Sequence, residues 1–235
     1  MLTAFGRAML DTIHGQPQCF RMSMSNGSSV KMNCGEFLHC RNEEQGVLDN
    51  LNLPEDGKIL DYGCGAGRHL IYLRQKHISV QCVGIEVCDL LRNHCTQAIP
   101  EPSAFYDSWD KIPANDRVFD LILLLGNGLG VLGTECETVK KLKTLVDSLR
   151  PHGQIIIESG NPFGHGYYSA DFTIAYKDFQ DAPFTWGYAD RTWLSATLKG
   201  FGCTVEFSPS NAPGGMFFLG VVQKKEKPAS FRLNY

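Results

Sequence analysis

The chain reads as an α/β protein built on a doubly wound, mostly parallel sheet with helices on both faces, and three observations carry that reading. Residues 59–72, ILDYGCGAGRHLIY, run from an apolar strand ending at Asp61 through glycines at 63, 65 and 67 into an amphipathic helical pattern. Residues 119–128, FDLILLLGNG, form a continuous apolar run that leaves through a glycine-rich bend, as expected of a strand buried on both faces. Strands and helices alternate between these segments and on to Glu158, the order of parallel βαβ units.

Each element follows from local chemistry. Residues 4–13 predict a helix closed by His14-Gly15, and RMSMSN and SSVKMN predict two short strands joined by Asn26-Gly27, a strong hairpin turn. A helix is expected over 36–51, after which 54–57 turn the chain into the first core strand. Residues 80–87 give a second strand ending at Glu86, 138–149 a helix, and 154–158 a further strand. From 160 to 185 the composition becomes aromatic and glycine-rich, and a short helix over 191–198 precedes GCTVEFSPSNAPGGMFFLGVV, which closes as two antiparallel strands. The whole predicts one domain: residues 1–53 a cap helix with small strands, 54–160 a cofactor-binding core, and 161–235 a substrate-facing lid and terminal hairpin.

The spacing of the glycines is informative about the ligand. Bare backbone and helix-terminal N–H groups let a ligand approach with no Cβ in the way. The dinucleotide form is G-x-G-x-x-G, whereas here Gly67 follows Gly65 by two residues, giving G-x-G-x-G preceded by the acid Asp61. This resembles motif I of the class I, Rossmann-like S-adenosylmethionine-dependent methyltransferases, small-molecule type. The resemblance runs in order from residue 59 to about residue 222. It implies a seven-stranded sheet ending in an antiparallel hairpin, with S-adenosyl-L-methionine as cofactor and S-adenosyl-L-homocysteine as product.

The same resemblance implies donor-site roles for Asp61, Gly63, Gly65 and Gly67, for Glu86 on the ribose hydroxyls, for Asp107 with Ser108 near the adenine, and for Asn127 beside the methyl donor. In the turn before the fifth strand, His152 stands where the family has a glycine. The family's base methyltransferases carry an acid or amide, two prolines and an aromatic after strand four; GNGLG here excludes that pattern.

Composition agrees. At 235 residues and 43% hydrophobic content the chain can bury a full core. A net charge of −3 with scattered lysines and arginines, apart from Lys224, Lys225 and Lys227, argues against a nucleic-acid partner. The nine cysteines form no C-x-x-C pair, so neither a zinc site nor a disulfide framework is indicated, and reduced thiols in a cytoplasmic protein are expected. The longest apolar run, residues 121–125, is too short to cross a bilayer, and no membrane partner or metal is expected. Composition sets no oligomeric state.

The expected function is methyl transfer to the N or O atom of a small-molecule acceptor, by in-line attack on the sulfonium methyl. A sulfonium is already activated, so positioning carries most of the chemistry. His165 and Tyr168 are the candidate bases, with His14 behind them, and Tyr167, Tyr168 and Trp186 are candidates for the acceptor wall, because this segment leaves the carboxyl end of strand five. A planar or apolar acceptor, or a cation stacked on the rings, would suit such a wall. Phe172, Ile174, Tyr176 and Phe179 fit equally an ordinary hairpin. Two other classes stay open: a non-methylating enzyme on the same scaffold, and a non-catalytic adenosylmethionine-binding partner subunit. A dinucleotide dehydrogenase would need its third glycine one residue later.

Overall fold

The computed structural model describes residues 3–208 and 217–225. Its helices are α1 (Thr3–Ile13), α2 (Asn42–Leu48), α3 (Arg68–Lys76), α4 (Asp89–Ala98), α5 (Glu135–Asp147) and α6 (Arg191–Gly200). Its strands are β1 (Cys19–Met24), β2 (Ser29–Asn33), β3 (Lys58–Tyr62), β4 (Gln81–Ile85), β5 (Ser103–Tyr106), β6 (Phe119–Leu124), β7 (Leu149–Gly160), β8 (Tyr167–Tyr176), β9 (Phe179–Gln180), β10 (Phe184–Ala189), β11 (Cys203–Ser208) and β12 (Phe217–Lys224).

Two sheets result. The larger has seven strands in the order β11-β12-β7-β6-β3-β4-β5. Strands β3 to β7 are parallel, and β12 enters antiparallel between β7 and β11 as the terminal hairpin. Alternation along the buried strands explains why helices cover both faces. Leu60, Ile122 and Leu124 join one core with Leu142 and Leu145 of α5 and Leu194 and Leu198 of α6. Ile59, Leu121 and Leu123 join the other, with Leu48 of α2, Leu70 and Leu73 of α3 and Cys95 of α4. The chain winds outward from β3 to β5 and then returns to β6 on the other side of β3, which opens a crevice at the carboxyl ends of these two strands.

The smaller sheet is antiparallel, β10-β8-β1-β2 with β9 on β8, and joins segments far apart in sequence. Met22 of β1 pairs with Ile174 of β8, and Phe20 of β1 with Met32 of β2. The second reading of Phe172, Ile174 and Tyr176, as strand residues, is the one observed, but they pack into this cap rather than onto the larger sheet. Helix α1 seals the cap from outside. Two of its free first-turn N–H groups, those of Ala4 and Phe5, donate to the two carboxylate oxygens of buried Asp181 at 2.8 and 3.1 Å.

Some expected boundaries shift. The helix expected over 36–51 is interrupted: Cys34–Phe37 make a 3-10 turn capped by Asn33, and α2 spans only Asn42–Leu48. The cause is Arg68, whose Nη1 takes the carbonyls of Glu36 and His39 at 2.8 and 3.2 Å and so turns them away from a helical ladder. Helix α5 begins earlier than residue 138, because Thr134 and Glu137 form a capping box. His152 adopts the left-handed φ of +65° that its turn demands. Residues 209–216 of the terminal hairpin lie outside the described residues.

Candidate functional site

A cavity of about 500 Å³ lies between the carboxyl edge of the large sheet and one face of the small sheet. Its floor is the glycine loop. The N–H groups of Gly63 and Cys64 both donate to the Ile85 carbonyl, at 2.8 and 3.0 Å, anchoring the loop to the end of β4. Gly65 has φ +55°, and a Cβ there would meet nothing within 4 Å, so this residue presents bare backbone to open space. Gly67 is required for another reason: at φ +81° a Cβ would lie 2.9 Å from Ile99 and 3.1 Å from the Cys95 sulfur, where α4 packs on the loop.

Glu86 stands beside this floor and lines the cavity while its residue is only 5% exposed. Oε2 accepts from Gly65 N at 2.9 Å and Oε1 from Cys88 N at 2.8 Å. Burial pushes the Glu86 carboxyl above the ordinary carboxylate range, against the pull of those two N–H groups. Each oxygen keeps a further lone pair, so the carboxylate can also accept from a ligand. Asp107 and Ser108 line the same side, joined by a 3.0 Å hydrogen bond from Ser108 Oγ.

Asn127 follows β6 in the left-handed conformation, φ +56°. The N–H groups of Gly126 and Asn127 donate to Glu158 Oε2 at 2.6 and 3.0 Å, which fixes the bend. Asn127 lines the cavity, and its buried Oδ1 has no hydrogen-bond partner among the described residues.

A charged network supports the loop from below. Arg41 bridges Glu44 and Glu158 at 2.8 and 2.5 Å, and Arg68 Nη2 reaches Glu44 at 2.7 Å. His69 Nδ1 lies 3.2 Å from Asp61 Oδ2, and its Nε2 lies 3.4 Å from Glu44. Burial tends to raise the Glu44 carboxyl, but His69, Arg41 and Arg68 overcome it and hold the group well below its usual range. Burial likewise disfavours a charged His69 ring, yet Asp61 and Glu44 prevail and push it upward, with Arg68 opposing them. Cys40, Glu44 and His69 bring ligand atoms within 4.8 Å of one another, but two guanidiniums already occupy Glu44 and repel a cation. Asp61 is thus engaged with His69 and holds the end of β3, rather than lining the cavity.

The opposite wall departs from the sequence expectation. Trp186 lines the cavity, with its indole pressed so closely on Gly130 that a Cβ there would sit 2.0 Å from Nε1. Tyr167 does not line it: its hydroxyl donates to the Gly133 carbonyl at 2.6 Å and lies 2.7 Å from Thr138 Oγ1, bolting β8 to the segment before α5. Tyr168 stacks on Phe163 outside, at 4.4 Å between ring centroids. His165 is fully exposed, with Nδ1 3.7 Å from Asp190. The reason is local. Asp190 Oδ2 accepts from Gly166 N and Asn161 donates to the Gly166 carbonyl, so the 161–166 loop is tied down away from the crevice.

The wall is instead built by the cap. Phe20, Met22 and Met32 occupy one face of β1 and β2, Ile174 and Phe184 continue it, and Phe5 and Met9 reach in from α1. Tyr188, the next inward residue of β10, completes it, with burial pushing its hydroxyl up to about 12. The alternation of Phe20 and Met22 was the available signal for this face.

The strand order, the hairpin inserted beside β7 and the G-x-G-x-G loop with its acids define a class I, Rossmann-like methyltransferase fold. Residues 59–153 match the protein family described as "Methyltransferase domain". Residues 59–153 thus resemble a methyltransferase domain, and the fold around them is that of the class I, S-adenosylmethionine-dependent type. A curated relative named "Putative methyltransferase YqeM", from Bacillus subtilis (strain 168), is 27% identical over 138 residues; the match takes in 57% of this chain and 55% of that protein, so the chain spans about half the length of the relative it matches. A SAM-dependent methyltransferase from Bacteroides fragilis, crystallised with S-adenosyl-L-homocysteine, superposes with TM-score 0.79 at 23% identity over 96% of both chains. Burkholderia thailandensis 1,6-didemethyltoxoflavin-N1-methyltransferase, with 1,6-didemethyltoxoflavin and S-adenosylhomocysteine bound, gives TM-score 0.57 at 16% identity, covering 79% of this chain and 78% of that one. At these identities the structural likeness is one of fold.

The residues present fit the methyl donor of this class. Gly65 leaves an open backbone cradle, Glu86 offers an acceptor for a diol, and the unpaired Asn127 Oδ1 awaits a donor group.

Proposed function

We propose that the protein transfers the methyl group of S-adenosyl-L-methionine to an N or O atom of a small-molecule acceptor, leaving S-adenosyl-L-homocysteine. The observation that carries this reading is the two-sided cavity, with the glycine loop and Glu86 on one side and an apolar cap face on the other. The cofactor, when bound, supplies a methyl group already activated by a sulfonium. Gly63 and Gly65 give it backbone contact, Glu86 receives the ribose hydroxyls, Asp107 and Ser108 flank the base, and Asn127 orients the end nearest the acceptor. The cap excludes water and aligns the nucleophile, which is the larger part of the catalysis asked of the protein.

An acceptor nitrogen is the simpler case, since a neutral nitrogen already has a free lone pair, whereas a hydroxyl needs a base. His165 and Tyr168 are not placed to act as that base without movement of their loop. The Burkholderia protein, named as an N1-methyltransferase, supports the nitrogen reading by analogy. Among the described residues no helix is long and apolar enough to cross a membrane. The free cysteines, most of them buried, go with a reducing compartment and so with a cytoplasmic location.

Calorimetric titration with S-adenosylhomocysteine, beside NADH and beside Glu86→Ala, tests the donor site. Micromolar binding of the homocysteine compound, with none for NADH, is expected. Glu86→Ala should weaken it by about 1.5–3 kcal/mol, the range for hydrogen bonds to a charged group. Unchanged affinity in the variant would sink the assignment.

A further inference from the structure

We infer that the acceptor is an uncharged, planar aromatic or heteroaromatic molecule, selected by the cap face that carries Phe20, Met22 and Met32. The inference rests on the donor-site reading above and deepens it. It follows from an inventory of charge around the cavity. On the cap side the wall comes from Phe5, Met9, Phe20, Met22, Met32 and Phe37, none of them ionisable. Arg7 of α1 has its guanidinium stacked on Phe179 at 4.1 Å, and Arg21 and Lys31, which adjoin Phe20, Met22 and Met32 in sequence, pair on the opposite, exposed face of β1 and β2.

The charged groups that do reach the cavity, Arg68, His69, Glu86, Asp107 and Lys141, belong to the large-sheet side rather than to α1, β1 or β2; burial keeps Tyr62 neutral, and contact with the Cys95 thiol together with burial does the same for Cys64. Arg68 is held by Glu44 and two carbonyls, and His69 by Asp61 and Glu44. Lys141 Nζ donates to the Leu132 carbonyl at 2.8 Å, and Glu86 accepts from Gly65 and Cys88. Asp107, exposed at the rim, pairs with Ser108 on the donor side. Tyr188 is the ionisable group among the cap aromatics, and its phenol stays neutral across the physiological range. A carboxylate or phosphate on the acceptor would meet the cap face with no counter-charge and lose its hydration there, a cost of many-fold in affinity; an ammonium would have only the ring faces of Phe20, Phe184 and Trp186, an attraction that falls short of the hydration it loses.

The shape of the wall favours a flat molecule. Trp186 is fixed flat against Gly130 and meets Phe184 edge to face at 77°. Met22 and Met32 face inward from adjoining strands, and thioethers pack well on aromatic faces while adapting to their outline. Sulfur and ring edges, rather than a hydrogen-bonding grid, would then set specificity.

The test uses three compounds of one shape: benzimidazole, benzimidazole-5-carboxylate and 5-(aminomethyl)benzimidazole. Each is titrated calorimetrically into the full chain held with saturating S-adenosylhomocysteine at pH 7.5, after a titration of the homocysteine compound itself. Benzimidazole is expected to bind about tenfold or more tighter than either charged congener, because only the charged forms lose hydration without a partner. In Met32→Lys the order of benzimidazole and the carboxylate should reverse. Equal or tighter binding of a charged congener to the wild type, no binding of benzimidazole where S-adenosylhomocysteine binds, or an unaltered order in Met32→Lys would each overturn the inference. Absent S-adenosylhomocysteine binding with the aromatic ranking intact would instead overturn the donor reading and leave this one standing.

Discussion

The two walls of the cavity are made in different ways. On the large-sheet side the surface is backbone held by buried charge: Gly65 is positioned by Glu86, the bend at Gly126 and Asn127 by Glu158, and both acids by neighbouring N–H groups or by Arg41. On the small-sheet side it is side chain on side chain, Phe20, Met22 and Met32 against Ile174 and Phe184, with α1 as a cover. A backbone wall holds one geometry for one cofactor. A wall of thioethers and phenyl rings can be recut by substitution without disturbing the chemistry opposite.

The sharpest way to break this contrast is to remove Glu44, which is fully buried and bonded to Arg41 and Arg68. Glu44→Ala leaves two guanidiniums and His69 without their shared partner, and a loss of about 3–5 kcal/mol in urea unfolding is expected from breaking a buried ion pair. A change below 1 kcal/mol, as found for exposed pairs, would mean the network is ornamental to the loop.

A smaller effect is expected at the cap. Asp181→Ala removes the acceptor for the Ala4 and Phe5 N–H groups in the first turn of α1 and should cost about 1 kcal/mol, the usual worth of a helix cap. Its signature is regional: amide hydrogen exchange should quicken in α1 and not in α3. Equal acceleration in both helices would show that the two walls open as one unit.

The least of the three is a pH effect. Glu44 has its folded-state pKa depressed below the usual 4.5, so the stability it contributes is present above pH 4.5 and is lost as pH falls through the folded-state value. Denaturant midpoints of the wild type should therefore decline with acidification below pH 4.5, and the Glu44→Gln variant should lack that component of the decline. Parallel profiles would assign the acid sensitivity to other carboxylates.

The same division explains what the sequence revealed. Gly63, Gly65 and Gly67 were legible because each takes a positive φ that side chains disfavour, and Glu86 because it sits where a parallel strand ends. The buried strands declared themselves by apolar runs. The helix and hairpin of the cap were legible too, but their junction with β8 was not. Alternation in residues 20–24 marks a strand, but nothing in it says that Met22 will lie opposite Ile174, and pairing across such a distance is a tertiary outcome. Aromatic crowding at 163–168 drew attention to His165, Tyr167 and Tyr168, whereas hydrogen bonds to Asp190, Gly133 and Thr138 place that crowd outside the cavity. Tyr188 and Trp186, two residues apart on β10, share the inward face.

The pairing of β1 with β8 also has a consequence for the order in which the molecule is made. The hairpin β1-β2 is translated well before the strand it needs, Tyr167–Tyr176, and the parallel strands β3 to β7 are made in between. Long-range closure of this kind is slow relative to local contacts. The nascent chain thus holds Met22 and its neighbours on β1 without their partner strand while β3 to β7 are being made, and the small-sheet wall of the cavity closes after the floor opposite it is in place.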